Sequence, residues 1–402
     1  MTHERREAHD FRDARTGLLI LSLAVFVAVT TELLPVGLLP QISAPFAVPD
    51  ARTGLLVSAY AIMVAVLAVP LTLATRRLPR KPLLLATLGC YVVSNLAAAA
   101  APTFALLAAW RVVGGVAHAL FFSICIGYAA RLVSPALTGR AMALVSVGIS
   151  GGLVVGVPLS TALGTAFGWR AAFACLGALV AVVLCLAAAV LPPIVAPVSR
   201  GRDHPGRRRD LATVVAANGL TYLGHFVLYT FISTLLLASG AGPTWVGPFL
   251  LVFGLCGLGG LRTAAAQLDA RPWASALAIP AVMALGITAV GLVFPALWPV
   301  VVAVALWSTA FGPVASLYQS AAVRIAAVSP ELAGAWINAS ANTGIAAGAA
   351  VGGAVLEAYD LRTVVWVAAA LVASAALIAL LARPVFESPR PLGHDPRTTR
   401  HR

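Results

Sequence analysis

Lysine occurs once in these 402 residues, at Lys81, and acidic side chains number only fourteen. Charged residues make up 10% of the chain against 60% apolar ones, and the mean hydropathy is +0.94. So little charge cannot cover the surface of a soluble protein of this length, which excludes a water-soluble globule. With a single lysine, placed after Arg-Leu-Pro-Arg, and no glycine-rich loop ending in Gly-Lys-Ser/Thr, the chain has no means of cradling a nucleotide phosphate. The five cysteines, Cys90, Cys125, Cys175, Cys185 and Cys256, form no CxxC pair and have no histidine at metal-ligand spacing. They read as small buried hydrophobes, so neither metal nor other cofactor is expected. A nucleophile paired with a base is equally missing, which argues against an enzyme.

What the chain does have is apolar runs. Twelve stretches near the twenty residues that cross a bilayer as helix lie at about 17–43, 54–75, 83–101, 104–130, 141–163, 171–191, 211–239, 245–268, 273–293, 296–323, 333–356 and 363–382. The expected fold is therefore all-α and integral to the membrane. The first sixteen residues are too polar for a signal-peptide core, and span one is expected to be retained.

The net charge of +13 is topological. Only Arg52, Arg170 and Arg362 fall in the loops on one side, Arg111 lies within a span, and the other basic residues lie on the side of both termini. By the positive-inside rule both termini are cytoplasmic, and no nucleic-acid partner is implied. The protein is expected as a multi-pass protein of the cell membrane, a monomer whose partners are the lipid bilayer, protons and a small molecule.

Residues 191–210, LPPIVAPVSRGRDHPGRRRD, combine proline, glycine and arginine between two blocks of six spans. The expected organisation is a cytoplasmic tail (1–16), a first six-helix bundle (17–191), a basic linker (192–210), a second bundle (211–383) and a second tail (384–402). The blocks echo one another. Ser134-Pro135, Leu137 and Gly139 recur as Ser329-Pro330, Leu332 and Gly334, and Gly148, Gly152 and Gly156 recur as Gly344, Gly348 and Gly352. Such duplication is how secondary transporters build a midplane site with alternating access. Glycine every fourth residue makes one smooth helix face. That face serves either as plain packing or as a surface on which the halves slide.

Glu32 is the one acidic residue well inside an apolar span. An intramembrane carboxyl is costly and usually marks an ion or substrate pathway. It precedes Pro35, whose missing N–H frees a backbone carbonyl. Glu32 is the candidate proton carrier; the alternative is a neutral carboxyl that only ties helices together. Span four carries Arg111, Gly115 and His118 on one face. Arginine stays charged and needs carboxylate, carbonyl or water beside it, with Glu32 as one possible partner, and His118 either relays protons or is a satisfied structural residue.

Asn218, Tyr222, His225 and Tyr229 form a polar and aromatic stripe along span seven. The stripe lines a cavity for an amphipathic molecule or makes interhelical hydrogen bonds. Gln319 in span ten, and Asn338 with Asn342 in span eleven, add polar groups from the second block.

These residues resemble the major facilitator superfamily, in particular its twelve-helix drug/proton antiporter branch of multidrug, sugar and nucleoside exporters. The resemblance covers residues 17–383. Arg111-Val-Val-Gly-Gly115 is similar to the superfamily's Arg-x-x-x-Gly motif, and Gly148 to Pro158 to the glycine- and proline-rich antiporter motif. Thr31 to Pro35 and Leu306-Trp307 through Gln319 also look like this branch. The loop after span two keeps the basic residues Arg76, Arg77, Arg80 and Lys81 but has Arg76 and Pro79 where the pattern has Asp and Gly; in span five Val157 intervenes between Gly156 and Pro158. Membership implies two pseudo-symmetric six-helix bundles rocking around a central cavity, and export driven by proton entry. A sugar or nucleoside exporter, or a facilitator without proton coupling, is the alternative.

Overall fold

Each apolar run is long enough to close its own backbone hydrogen bonds, the only open-chain solution inside hydrocarbon. In the computed structural model the described residues are 3–75, 77–129, 131–133, 138–194, 207–325, 327–328 and 330–387. In chain order they form α1 (His3–Phe46), α2 (Asp50–Ala74), α3 (Arg80–Ala99), α4 (Phe104–Ala129), α5 (Thr138–Gly151), a π-turn (Gly152–Gly156), α6 (Val157–Phe167) and α7 (Trp169–Val190). Then follow α8 (Arg208–Tyr229), α9 (Ile232–Ala238), α10 (Pro243–Ala270), α11 (Pro272–Val293), α12 (Leu297–Phe311), α13 (Val314–Ile325), α14 (Pro330–Ala358), α15 (Leu361–Leu381) and the short α16 (Arg383–Phe386). Among the described residues twelve helical segments are long and apolar enough to cross a membrane, and none is a strand. Leu285, Leu292 and Val302 are each more than 60% exposed. Side chains of that kind belong against lipid, not water.

Three spans are broken, two of them at proline. Span ten divides into α12 and α13 at Gly312-Pro313. Span five widens into the π-turn directly ahead of Pro158, whose ring and missing N–H disrupt the α ladder. Span seven divides into α8 and α9 after Tyr229.

The buried apolar side chains fall into two clusters. One is drawn from residues 18–191. The other is drawn from residues 211–386, together with Leu33, Val36 and Leu39 of α1, Val57 and Ala61 of α2, and Val157 of α6. Those helices therefore face both ways and carry the contact between the two halves.

Two boundaries differ from expectation. Helix α1 runs back to His3 without a break, so the residues expected as a tail are helical, while the apolar span itself begins at Ala14. Helix α8 begins at Arg208, inside the expected linker. Residues 195–206 of that linker, residues 388–402 of the second tail, Arg76, and Ser134, Pro135, Leu137 and Ser329 of the repeat lie outside the described residues.

The glycine faces pack within each half. A Cβ on Gly148 would strike the Ser22 carbonyl oxygen, and one on Gly156 the Thr30 hydroxyl, both on α1. A Cβ on Gly152 would come within 2.9 Å of Val29, also on α1. In the other half, Cβ atoms on Gly344 and Gly348 would stand 2.5 and 2.6 Å from the carbonyl oxygens of Gly219 and Leu223 on α8, and one on Gly352 would strike that of Val227. Span five thus packs on span one as span eleven packs on span seven, the same relation twice. The packing reading describes these faces; they do not lie between the halves, where sliding would need them. Close approach between the halves uses other glycines, which the sequence did not single out. A Cβ on Gly54 would be 2.7 Å from Phe231, one on Gly353 2.7 Å from the Ala51 carbonyl oxygen, and one on Gly254 2.7 Å from Val154.

Candidate functional site

Helix α1 contains Pro35, Pro40 and Pro45. Each proline leaves the carbonyl four residues earlier without its helical donor, and an unpaired carbonyl in hydrocarbon must find another. For Pro35 that carbonyl is Thr31's, and it accepts from Arg111 Nη1 at 2.6 Å. For Pro40 it is Val36's, and it accepts from the Ser233 hydroxyl of α9 at 3.0 Å. The first contact builds the site, and the second ties the halves together.

Arg111 is 2% exposed. Besides Thr31 it donates from Nη2 to the Glu32 main-chain oxygen at 2.6 Å and from Nε to the Leu56 oxygen at 3.3 Å, and its guanidinium lies 4.2 Å from the centre of the Tyr60 ring. Of the partners open to Arg111, a carboxylate, carbonyls or water, it is main-chain carbonyls that it takes, and not the Glu32 carboxylate. The carbonyls of α1 and α2 and the Tyr60 ring satisfy the cation, because Pro35 makes a strong acceptor available.

The Glu32 carboxyl turns instead toward His118. Its Oε2 lies 3.7 Å from His118 Nε2, and its Oε1 has no hydrogen-bond partner among the described residues. At 3.7 Å the pair is within ion-pair range but too long for a hydrogen bond. On the other side of the ring, His118 Nδ1 meets the Tyr60 hydroxyl at 2.9 Å, and Phe122 stacks on the imidazole at 5.1 Å. Glu32, His118, Tyr60 and Arg111 therefore form one buried cluster. Gly115 permits it by letting α4 approach α2, for a Cβ there would collide with the Tyr60 main-chain oxygen.

The two halves also enclose a cavity, which none of these four residues lines. Leu33, adjacent to Glu32, lines it together with Val154 of the π-turn, His225 and Tyr229 of α8, Phe253 of α10 and Phe311 of α12. Its wall thus draws on both halves. From the span-seven stripe it receives His225 and Tyr229, while Tyr222 packs edge-on to Phe311 with ring centres 5.6 Å apart. Asn218 goes elsewhere: its amide donates to the Ile337 oxygen at 2.9 Å and to Ser340 at 2.7 Å, so it pairs α8 with α14. Asn342 donates to the Asn338 oxygen at 3.1 Å, one turn back on its own helix. Gln319 lies against the bare backbone of Gly334. Asn218 thus pairs helices, Asn342 bonds within its own helix, and neither these two nor Gln319 and Asn338 line the cavity, which is narrower in chemistry than the sequence suggested. Phe226, Phe253 and Phe311 complete its aromatic wall, with Trp307 behind it on His225; the place of the phenylalanines was hidden because aromatic residues in a span read as ordinary apolar content.

Four polar ties cross between the halves near the end that carries the α1–α2 turn. The Asp50 carboxylate accepts from Ser43 at 2.5 Å and from Thr234 of the opposite half at 2.9 Å. The other ties are Ser233 to Val36, the Ser58 hydroxyl to the Ala346 oxygen at 2.8 Å, and Arg52 with Glu357 at 3.7 Å. That end is sealed. Of the basic loop residues, Arg77 is exposed, and the Arg80 main-chain N–H donates to the Ile194 oxygen.

The profile of the Major Facilitator Superfamily matches residues 21–335. The chain belongs to that superfamily. It is 33% identical over 398 residues, covering 93% of this chain and 94% of the relative, to a chloramphenicol efflux pump of Mycobacterium tuberculosis. To a probable sugar efflux transporter of Mannheimia succiniciproducens it is 27% identical, covering 88% and 90%. Its fold is similar to that of a bacterial homologue of the human lysosomal transporter Spinster, with a TM-score of 0.72, 16% identity and coverage of 94% and 99%. This member of the superfamily is thus an efflux transporter of the cell membrane and not an enzyme.

Proposed function

We propose that this transporter expels small amphipathic, drug-type molecules in exchange for protons, with Glu32 as the group that loads and releases the proton. The observation that carries this reading is the poorly satisfied Glu32 carboxyl: buried, one oxygen unpartnered, the other facing His118 beyond hydrogen-bond distance, and its neighbour Leu33 in the cavity wall. A carboxyl that served only to tie helices would have both oxygens bonded, since an unmade hydrogen bond in a buried site is expensive. Arg111, held on main-chain carbonyls, provides a fixed positive charge in the same buried cluster, and His118 with Tyr60 offers the proton a path. Protonation then removes the interaction that distinguishes one access state from the other, and each charge moved is worth about 2.3 kcal/mol per 100 mV.

On the positive-inside assignment, the sealed end lies outside the cell, so the cavity is closed to the exterior in this state. Efflux-pump relatives for chloramphenicol and for sugars support export as the direction. The test is accumulation of chloramphenicol in an efflux-deficient bacterial host expressing the chain, with and without a protonophore. The reading predicts lowered accumulation that the protonophore restores. Lowered accumulation that persists after the gradient collapses would remove the proton from the mechanism.

A further inference from the structure

His225 is 2% exposed and fully engaged except at one atom. Its Nδ1 accepts from the Trp307 indole N–H at 3.1 Å. An indole nitrogen can only donate, so Nδ1 carries no proton and the ring is the tautomer with its hydrogen on Nε2. That Nε2–H has no hydrogen-bond partner among the described residues, although the side chain lines the cavity. Phe311 stacks on the imidazole at 3.5 Å with planes 7° apart, and Tyr229 stacks at 4.8 Å. The ring is held on both faces, and its Nε2–H is a buried donor without a partner among the described residues, in a side chain that lines the cavity.

A buried donor left unpaired costs about 1–3 kcal/mol, an expense that makes sense where a ligand completes the bond. The rest of the wall specifies what the ligand can be. Its polar side chains are Ser150, Ser308, Tyr229 and His225, and among the described residues no charged one lines it. A cation would find no counter-charge there, and a polyol would leave most of its hydroxyls unmatched. We propose that His225 is the recognition donor of this transporter, giving its Nε2–H to an acceptor oxygen on an uncharged aromatic substrate whose remaining surface lies against Phe253, Phe311 and Leu33. This rests on reading the cavity as the substrate site and adds the class of molecule it takes.

The test is equilibrium binding to the purified full-length chain of radiolabelled 2-acetylnaphthalene, with unlabelled 2-isopropenylnaphthalene, in which C=CH2 replaces C=O, chloramphenicol and arabinose as competitors. An apolar wall alone favours the alkene, so tighter binding of the ketone reports the hydrogen bond. The expected result is a ketone at least fivefold tighter than the alkene, displaced by chloramphenicol and not by arabinose. Two variants divide recognition from structure. His225→Asn can keep an acceptor for Trp307 while its shorter amide leaves no N–H at the Nε2 position, and is expected to weaken ketone binding about tenfold. His225→Gln places an amide N–H near the Nε2 position and is expected to recover most of that loss. The proposal is overturned if the alkene binds as well as the ketone, if arabinose displaces the probe, if His225→Asn binds like the wild type, or if the wild type binds neither naphthalene. The ketone and alkene comparison decides even where a variant does not fold. Because binding at equilibrium needs no gradient, a failure of proton coupling leaves this result untouched.

Discussion

The Arg111 guanidinium holds the Thr31 carbonyl at 2.6 Å, the oxygen that Pro35 leaves without a helical donor. A proline on one helix and an arginine on another thus form a single device: the ring exposes an acceptor and the cation fills it. Arg111→Lys retains the charge but can reach only one of three carbonyls, and each lost hydrogen bond to a charged group is worth about 1.5–3 kcal/mol. The variant is expected to melt at lower temperature and to retain less than about a tenth of the wild-type transport. Pro35→Ala, which gives residue 35 an N–H that shares the Thr31 oxygen, is expected to have the smaller effect. Melting curves and transport of the two variants side by side check the order; a lysine variant as stable and active as the wild type contradicts it.

Close helix approach makes its own prediction. Gly344→Ala sets a methyl group 2.5 Å from the Gly219 oxygen and 2.7 Å from Tyr222, so α8 and α14 must separate. Overpacking of this kind costs about 1–3 kcal/mol. Gly89 has nothing within 4 Å of the equivalent position, and Gly89→Ala is expected to be neutral or to stabilise by about 0.5–1 kcal/mol through better helix propensity. Thermal unfolding of the two variants in detergent gives the comparison, with opposite signs expected.

Thr234 joins the Asp50 carboxylate across the sealed end. Thr234→Val keeps the shape and removes this tie alone, and the loss of a hydrogen bond to a charged acceptor shifts a two-state balance by roughly tenfold per 1.4 kcal/mol. Spin labels at the exposed Thr103 and Tyr359 are expected to report a larger long-distance population in the variant, read by electron–electron double resonance. An unchanged distance distribution means the tie does not hold that end closed.

Outside the spans, Asp360 starts α15 by accepting from the Thr363 main-chain N–H and hydroxyl, each at 2.7 Å. Those bonds, the hydroxyl's first, hold its carboxyl below the ordinary value of 3.8. A carboxyl depressed in the folded state contributes stability that is complete above its unfolded value and disappears as the pH falls through the folded one. Asp360→Ala is therefore expected to lower the melting temperature at pH 7, with the difference from wild type shrinking below about pH 3.8. A gap that is the same at pH 3 and pH 7 would assign the effect to helix propensity instead.

The legible part of this chain is what hydropathy and rarity encode. Twelve apolar runs give twelve spans because a spanning segment must satisfy its own backbone, and Glu32 stands out because a carboxyl there is expensive. Gly344, Gly348 and Gly352 announced a close contact without saying with what; only the three-dimensional arrangement puts it on α8. The partner of Arg111 was hidden for a related reason. A main-chain carbonyl has no letter in the sequence, so the need for carboxylate, carbonyl or water was legible while the particular carbonyls were not. Asn218 and His225 sit on the same stripe seven residues apart, yet one pairs helices and the other faces the cavity. Helical periodicity places both on one face, and the neighbours that divide their roles, Ser340 and Trp307, lie far along the chain.

The central claim is that titration of Glu32 drives export, and proteoliposomes loaded with chloramphenicol under an imposed pH gradient test it most directly. The account predicts gradient-dependent uphill movement in the wild type, abolished in Glu32→Gln while exchange of labelled for unlabelled substrate at equal concentrations survives. Uphill movement by Glu32→Gln at the wild-type rate would contradict it.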